Sequence, residues 1–484
     1  MAKKAQKKSF YITTTLPYVN AEPHLGFALE IIQADVVARH YTAKGMDVIF
    51  NTGTDEHGVK IYRKALEQKK DPQAYVDEYA AKFHVLKDTF NLSYTHFIRT
   101  TDAKHKAAAQ AFWMRCFTNG DIYKKQYQVK YCVGCELEKT DSELVDGKCP
   151  IHPKYEIELI NEENYFFRFS KYQQPLLDLY EKQKDFVQPT YRLTEIRNFV
   201  AAGLQDFSIS RLKSKMPWGV QVPNDDEHVM YVWFDALVNY ISTLGWPTDE
   251  KSYQAFWPGI QVAGKDNLRQ QSAMWQAMLL SAGLPTSAGV YIHGFITVDG
   301  QKMSKSTGNV IDPIVLANEY GQDAVRYFLL REFPFDADGD FSNKRMTERY
   351  TADLANDLGN LASRVSNMVA QYCEGVVDAT ESKHVSIVKT VHKDTENFKF
   401  EQALQKIWSV VIDANQTIDR EKPWVLAKSD ILKTKQVLTG LIADIRLVAD
   451  LLAPYLPQTA QKLADHFNAK TISKMPPLFP RLPA

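Results

Sequence analysis

Phe10-Tyr-Ile-Thr-Thr14-Thr-Leu-Pro17-Tyr-Val-Asn20-Ala-Glu-Pro23-His-Leu25-Gly-Phe27 is the stretch from which the architecture is read. Phe10–Thr14 is a short run of residues that suit a strand. Pro17, Asn20 and Pro23 then turn the chain. Leu25, Leu29, Ile32 and Val36 follow at helical spacing. A second short strand, Val48-Ile-Phe50, runs into Asn51-Thr-Gly-Thr-Asp-Glu-His-Gly58. Strand, loop, helix, strand opens a doubly wound parallel α/β sheet, an architecture whose ligands bind at the carboxyl ends of strands.

Outward from that stretch, the lysine-rich Met1–Ser9 has no secretory apolar region behind it and reads as a solvated tail. At 484 residues the chain should divide into several domains. Its 58 basic and 58 acidic residues cancel, which argues against a small, uniformly basic nucleic-acid module. The balance leaves room for one positive face on a larger enzyme. No apolar run is long enough to cross a membrane. Five cysteines without an export signal point to a reducing cytoplasm.

The opening α/β rhythm spans residues 1–120. A polar, cysteine-containing insertion fills 121–223, and the α/β pattern resumes over 224–292. Residues 293–349 hold the Lys302–Ser306 loop and a stem-contact region, and 350–484 are strongly helical. There Val437, Leu441, Ile445, Val448 and Leu452 make one apolar stripe, as in a helical bundle. The proline-rich Pro476–Pro483 reads as an extended strap.

Two segments within the insertion have metal-ligand spacing. Cys132-Val-Gly-Cys135 and Cys149-Pro-Ile-His152 are tight knuckles, each able to aim two ligands at one tetrahedral zinc ion. Three thiolates and an imidazole close the shell, so such a zinc would be structural. Cys116 and Cys373 stand alone and read as small buried apolar residues.

Two further segments carry phosphate chemistry. Pro23-His-Leu-Gly-Phe27 lies where the first strand gives way to a helix, and backbone donors at a helix start favour phosphate. His24 can donate to a phosphate oxygen, and Gly26 lets a nucleotide approach the backbone. Gln301-Lys-Met-Ser-Lys-Ser-Thr-Gly-Asn309 sets Lys302 and Lys305 three apart on a loop suited to clamping a polyphosphate.

Together these segments resemble the paired "HIGH" and "KMSKS" signatures of class I aminoacyl-tRNA synthetases, in their usual order. The similarity extends to the methionyl-tRNA synthetase family over essentially the whole chain. It includes Thr15–Asn20, Gly53–Gly58, the single pair of knuckles, Asn164–Arg168, Ser208–Arg211 and Tyr231–Ala236. It continues through Gly264–Asp266, His293–Phe295, Asp323–Tyr327, Asn360–Arg364 and Lys422–Trp424. An insertion of about 100 residues is also too small for the separate editing domain of leucyl, isoleucyl or valyl relatives.

The resemblance implies a Rossmann-like catalytic domain with a zinc-knuckle insertion, followed by an all-α anticodon-binding bundle. It implies methionyl-adenylate chemistry with ATP and Mg2+ as substrate, structural Zn2+ as cofactor, and tRNA(Met), including the initiator, as partner. His24, Lys302 and Lys305 would stabilise charge at phosphorus. Gly26, Phe27, Gly264, Asp266, His293, Met303, Ser304 and Ser306 would join them around ATP. Leu16, Tyr18, Trp233, Ala236, Leu237 and Tyr240 would line the methionine pocket with Asn267 and Gln271, and Asp55 would hold the ammonium group. Asn360, Arg364, Pro423 and Trp424 would read the anticodon. Without an appended module after the bundle, the expected state is a cytoplasmic monomer.

Three positions depart from the family pattern. Phe27 replaces a histidine, and Asn267 and Gln271 replace an aliphatic residue and a histidine. Two other readings compete, a class I synthetase of different specificity and a non-catalytic RNA-binding descendant. Phe27 speaks for the descendant, while His24, Asp55, Lys302 and Lys305 speak against it.

Overall fold

The computed structural model of the protein describes residues 8–135, 137–298, 300–303, 309–378 and 380–482. Its contacts divide into two compact units. Unit 1 comprises Met1–Pro23, Asp47–Val85 and Tyr94–Ile292, and unit 2 comprises His24–Met46, Leu86–Ser93 and His293–Ala484.

Unit 1 is built on a six-stranded sheet. Its strands are β1 (Ser9–Thr14), β2 (Asp47–Thr54), β3 (His96–Arg99), β4 (Val187–Gln188), β5 (Ile260–Gly264) and β6 (Gly289–His293). The spatial order is β3-β2-β1-β5-β6-β4. β1 pairs in parallel with both β2 and β5. The order therefore reverses beside β1, where doubly wound sheets bind their ligands. β2 continues through Asn51–Thr54, which pair with His96–Arg99 of β3. Sequence pattern ended that strand at Phe50, because Asn51 and Gly53 are poor strand formers. The Asn51 amide instead finds partners inside the sheet, donating to Thr13 Oγ1 at 3.1 Å and Asn239 Oδ1 at 3.2 Å.

The core of this unit is aromatic. Phe112 and Trp113, on the Ala103–Thr118 helix, are buried against Trp275 and Phe234, with ring centroids 5.5 and 5.2 Å apart respectively. Each such burial contributes about 1.5–3 kcal/mol. The insertion's long strand Ile122–Cys132 runs antiparallel to Ile157–Phe167. Its root is held by the buried Asp121 carboxylate, which accepts from Tyr172 Oη at 2.5 Å, Lys171 Nζ at 2.6 Å and Ser281 Oγ at 2.8 Å.

Unit 2 is largely helical. Its Leu25–Ala43 helix is buried on nearly every face and not along one stripe alone. The Ile431–Leu452 helix buries Leu441, Ile445, Val448 and Leu452 as the spacing predicts. Val437 is half-exposed, and Leu438, one turn before Leu441, takes the buried place. The terminal segment after Phe467 packs as a strap, with Tyr350 donating to the Pro480 carbonyl at 2.7 Å. Among the described residues, no helix is long and apolar enough to cross a membrane.

A buried guanidinium joins the segments of this unit. Arg326, fully inaccessible on the Gln322–Glu332 helix, pairs with Asp35 of Leu25–Ala43 at 2.8 Å. It also donates to the carbonyls of Phe90, Pro454 and Tyr455. Burial disfavours its charge, and Asp35 opposes that effect. Removing one partner strands the other charge in the interior, which costs about 3–5 kcal/mol. Arg326→Met should lower the unfolding free energy of unit 2 by about that amount in urea titration. A loss under about 1 kcal/mol would show that the other contacts hold these segments without it.

Candidate functional site

Three neighbouring strands of unit 1 deliver side chains at their carboxyl ends. Leu16 and Tyr18 follow β1, Asp55 follows β2, and Asp266 and Asn267 follow β5. The first two segments are joined beyond the end of the sheet. Val19 N–H donates to the Asp55 carbonyl at 3.2 Å, and Asp55 N–H donates to the Pro17 carbonyl at 3.0 Å. This parallel backbone bridge pairs Tyr18, which is half-exposed, with Asp55, which is buried.

The Val232–Ala236 helix and the Asn239–Ser242 turn bring the apolar residues to the same unit. Ala236, Leu237 and Tyr240 are buried and Trp233 is half-buried. The Trp233 Nε1–H is shielded from solvent and has no acceptor among the described residues. Two bonds hold this segment to the sheet, from Tyr11 Oη to the Tyr240 carbonyl at 2.9 Å and from Asn51 to Asn239.

Gln271 lies on a π-helical turn, Gln270–Met274, and is buried. Its Oε1 accepts from Gln261 Nε2 at 2.9 Å, within a network that includes Gln276 and Ser287. That commits its amide oxygen to a neighbour. Gly264 ends β5 and is buried, while Asp266 is exposed and accepts from Asn267 Nδ2 at 3.3 Å.

The first phosphate segment belongs to unit 2. His24 is the N-cap of the Leu25–Ala43 helix, and its Nδ1 accepts from Gly26 N–H at 3.1 Å. An accepting Nδ1 leaves the proton of a neutral ring on Nε2, so His24 presents a donor away from the cap. A side chain at position 26 would meet the His24 ring at 3.0 Å, so Gly26 gives the histidine its place. Phe27 stacks on that ring with centroids 4.4 Å apart. His293 is buried in the same unit, with Nε2 at 2.9 Å from Glu30 and Nδ1 at 2.7 Å from the Gly294 carbonyl.

Gln301–Lys302 pairs with Thr297–Val298. Met303 approaches the Gly26 position, its methyl 3.9 Å from where a β-carbon would sit. Ser304, Lys305 and Ser306 lie outside the described residues, as does the Lys302 side chain.

The knuckles converge in unit 1. Donor atoms of Cys132, Cys135, Cys149 and His152 all lie within 4.8 Å of one another. Cys135 Sγ is 3.5 Å from Cys149 Sγ and 3.2 Å from His152 Nδ1. A β-carbon on Gly134 would fall 2.5 Å from the His152 ring, so only glycine lets the knuckles close. Three soft thiol donors and an imidazole fit a tetrahedral zinc ion. Cys116 and Cys373 are buried, as expected of apolar-type cysteines.

Elsewhere in unit 2, Trp424 is 39% exposed. The Arg364 guanidinium lies 5.8 Å from the Trp424 ring centre and pairs with Asp419 at 2.8 Å. Asn360 is exposed at the start of the Asn360–Tyr372 helix, and Pro423 is buried.

Comparison with known proteins bears on all of these features. A family model described as "tRNA synthetases class I (M)" matches residues 10–157 and 153–366, and one described as "Anticodon binding domain of methionyl tRNA ligase" matches 374–477. The chain belongs to the methionyl-tRNA synthetase family. Its relatives include a methionine–tRNA ligase of Caldanaerobacter subterraneus subsp. tengcongensis, 43% identical over 96% of this chain and 74% of that one. Another, from Nostoc sp., is 44% identical over 96% of this chain and 92% of that one. Mycobacterium tuberculosis methionyl-tRNA synthetase in complex with methionyl-adenylate superposes with TM-score 0.91 at 37% identity, covering 98% of this chain and 100% of that one. The apo form of that enzyme gives TM-score 0.82 at 35% identity, covering 99% and 97%. The family assignment and the fold confirm the class expected from sequence, a Rossmann-like sheet followed by a helical anticodon-binding domain.

Sequence reading left two buried networks without a role, Asp235 with His57 and His105, and Glu56 with Arg99. Their signal was present as charged residues set inside otherwise apolar or motif-bearing segments, but pairing across 43 to 178 residues cannot be seen in local pattern.

Proposed function

We propose that this chain joins L-methionine to tRNA(Met), initiator included, through methionyl-adenylate. A methionine carboxylate oxygen attacks the α-phosphorus of ATP and diphosphate leaves. The terminal ribose hydroxyl of the tRNA then attacks the adenylate carbonyl and AMP leaves. The observation that carries the reading is the Tyr18–Asp55 backbone bridge, which pairs an aromatic residue with a buried aspartate at the end of the central strands. That arrangement suits an ammonium group on an apolar side chain. The methionyl-adenylate bound to the M. tuberculosis relative is chemistry of the same kind.

Asp55 holds the ammonium group. Leu16, Tyr18, Trp233, Ala236, Leu237 and Tyr240 form the wall around a long, polarizable thioether. Gln271, held by Gln261, supports that wall, and Asn267 completes it. His24 donates from Nε2 to phosphate at a helix start, where backbone amides add to its effect. Phe27 keeps the His24 ring in place, so the missing histidine is compensated by orientation.

Lys302 and Lys305 neutralise the departing diphosphate, and Met303, Ser304 and Ser306 complete that segment. Gly264, Asp266 and His293 shape the nucleotide site, and Mg2+ enters with ATP, held largely by phosphate and water. Cys132, Cys135, Cys149 and His152 hold a structural zinc, whose binding contributes folding free energy. Cysteines of this kind stay reduced in a cytoplasm. Asn360, Arg364, Pro423 and Trp424 meet the anticodon loop, with Trp424 stacking on a base and Asn360 bonding to a base edge.

Two variants separate the half-reactions. His24→Ala should lower methionine-dependent pyrophosphate exchange by about 10²–10³-fold, and charging should fall with it. Trp424→Ala should leave exchange unchanged while weakening tRNA charging by about 1–3 kcal/mol, the contribution of one base–aromatic stack. Both activities falling together in Trp424→Ala would make it a packing residue. Full exchange in His24→Ala would remove it from the phosphate site.

A further inference from the structure

Asp235 sits in the interior of unit 1 with its side chain fully buried and both carboxylate oxygens engaged by histidines. His57 Nδ1 donates to Oδ2 at 2.5 Å, and His105 Nε2 donates to Oδ1 at 2.8 Å. His105 Nδ1 is hydrogen-bonded in turn to Ser242 Oγ at 3.0 Å. Burial acts to raise the Asp235 pKa, but the two histidines outweigh it and hold it at about 2. A charge kept in the interior by two directed donors fixes the position of everything bonded to it.

The segments so fixed are the two halves of the proposed methionine pocket. Asp235 lies two residues after Trp233 on the Val232–Ala236 helix, so the side chains point about 200° apart. Asp235 therefore faces the interior while Trp233 faces away from it. His57 lies two residues after Asp55. The Asp55–His57 loop is fastened on its other flank as well, where Arg99 pairs with Glu56 at 2.6 Å and Trp218 Nε1 donates to the Glu56 carbonyl at 2.6 Å. His57 to Asp235 is the side-chain bond that joins this loop to the Trp233 helix, and His105, from Ala103–Thr118, holds the carboxylate from behind.

We propose that Asp235, oriented by His105 and bonded to His57, is a positioning residue that sets the separation between the ammonium-binding Asp55 and the side-chain wall at Trp233. It reaches substrate only through those two residues. The proposal rests on the methionine-activating reading above and deepens it. Loosening the network should cost affinity for the amino acid while leaving the phosphate-binding parts intact. A directed hydrogen bond to a charged group, once removed, weakens affinity by about tenfold or more.

The test compares the full-length wild type with Asp235→Asn, His105→Leu and His105→Gln in methionine-dependent pyrophosphate exchange. Asp235→Asn and His105→Leu should raise KM for methionine by about tenfold or more, with kcat and KM for ATP within about threefold of wild type. His105→Gln keeps a donor that reaches the Asp235 carboxylate, and it should recover most of the lost affinity. If Asp235→Asn does not fold, the two His105 variants decide the matter. An unchanged methionine KM in His105→Leu would overturn the proposal. So would equal defects in His105→Leu and His105→Gln, or a fall in kcat with both KM values rising together. A wild-type chain inactive with methionine is a distinct result, refuting the functional reading and this proposal with it.

Discussion

Two backbone hydrogen bonds, Val19 N–H to the Asp55 carbonyl and Asp55 N–H to the Pro17 carbonyl, extend the pairing of β1 and β2 past the end of the sheet. They are main-chain bonds, so they hold whatever side chains occupy the loops. Parallel strands present their following loops on one edge, and the order β2-β1-β5 makes three such loops neighbours. The Tyr18–Asp55 bridge turns that adjacency into a fixed backbone register between an aromatic residue and an aspartate. The Glu56–Arg99 pair and the His57–Asp235 bond fasten the loop that follows Asp55.

Those networks follow one pattern. A buried carboxylate is retained where it ties together segments far apart in sequence, and each is saturated by directed donors. Asp121 roots the insertion, Glu56 anchors the loop after β2, Asp235 joins that loop to the Trp233 helix, and Asp35 answers Arg326 in unit 2. Buried ion pairs add little net stability over well-packed apolar groups but penalise every alternative arrangement that leaves a charge unpaired. The residues assigned to the proposed methionine pocket are thereby flanked by bonds that involve no substrate.

Much of this was legible in sequence, for identifiable reasons. The knuckle cysteines and His152 declare themselves because metal spacing is local, and their donors do converge. The alternation of strand and helix around residues 10–50 is also local, and the strand Ser9–Thr14 and the helix Leu25–Ala43 follow it. The end of β2 was missed because Asn51 is stabilised by Asn239, 188 residues away. Phe27 looked like the loss of a phosphate donor. The stacking that gives it a place requires the three-dimensional course of the His24 cap, which spacing does not convey. Gln271 was assigned to the methionine wall through its family position, and its bond to Gln261 became visible only in the folded chain.

The central claim is that the pocket at the ends of β1 and β2 selects methionine for activation. Pyrophosphate exchange with ATP, measured separately for each of the twenty amino acids, tests it most directly. The account predicts substantial exchange with methionine alone. Faster exchange with leucine, valine or cysteine would contradict the specificity, and no exchange with any amino acid would contradict the activity.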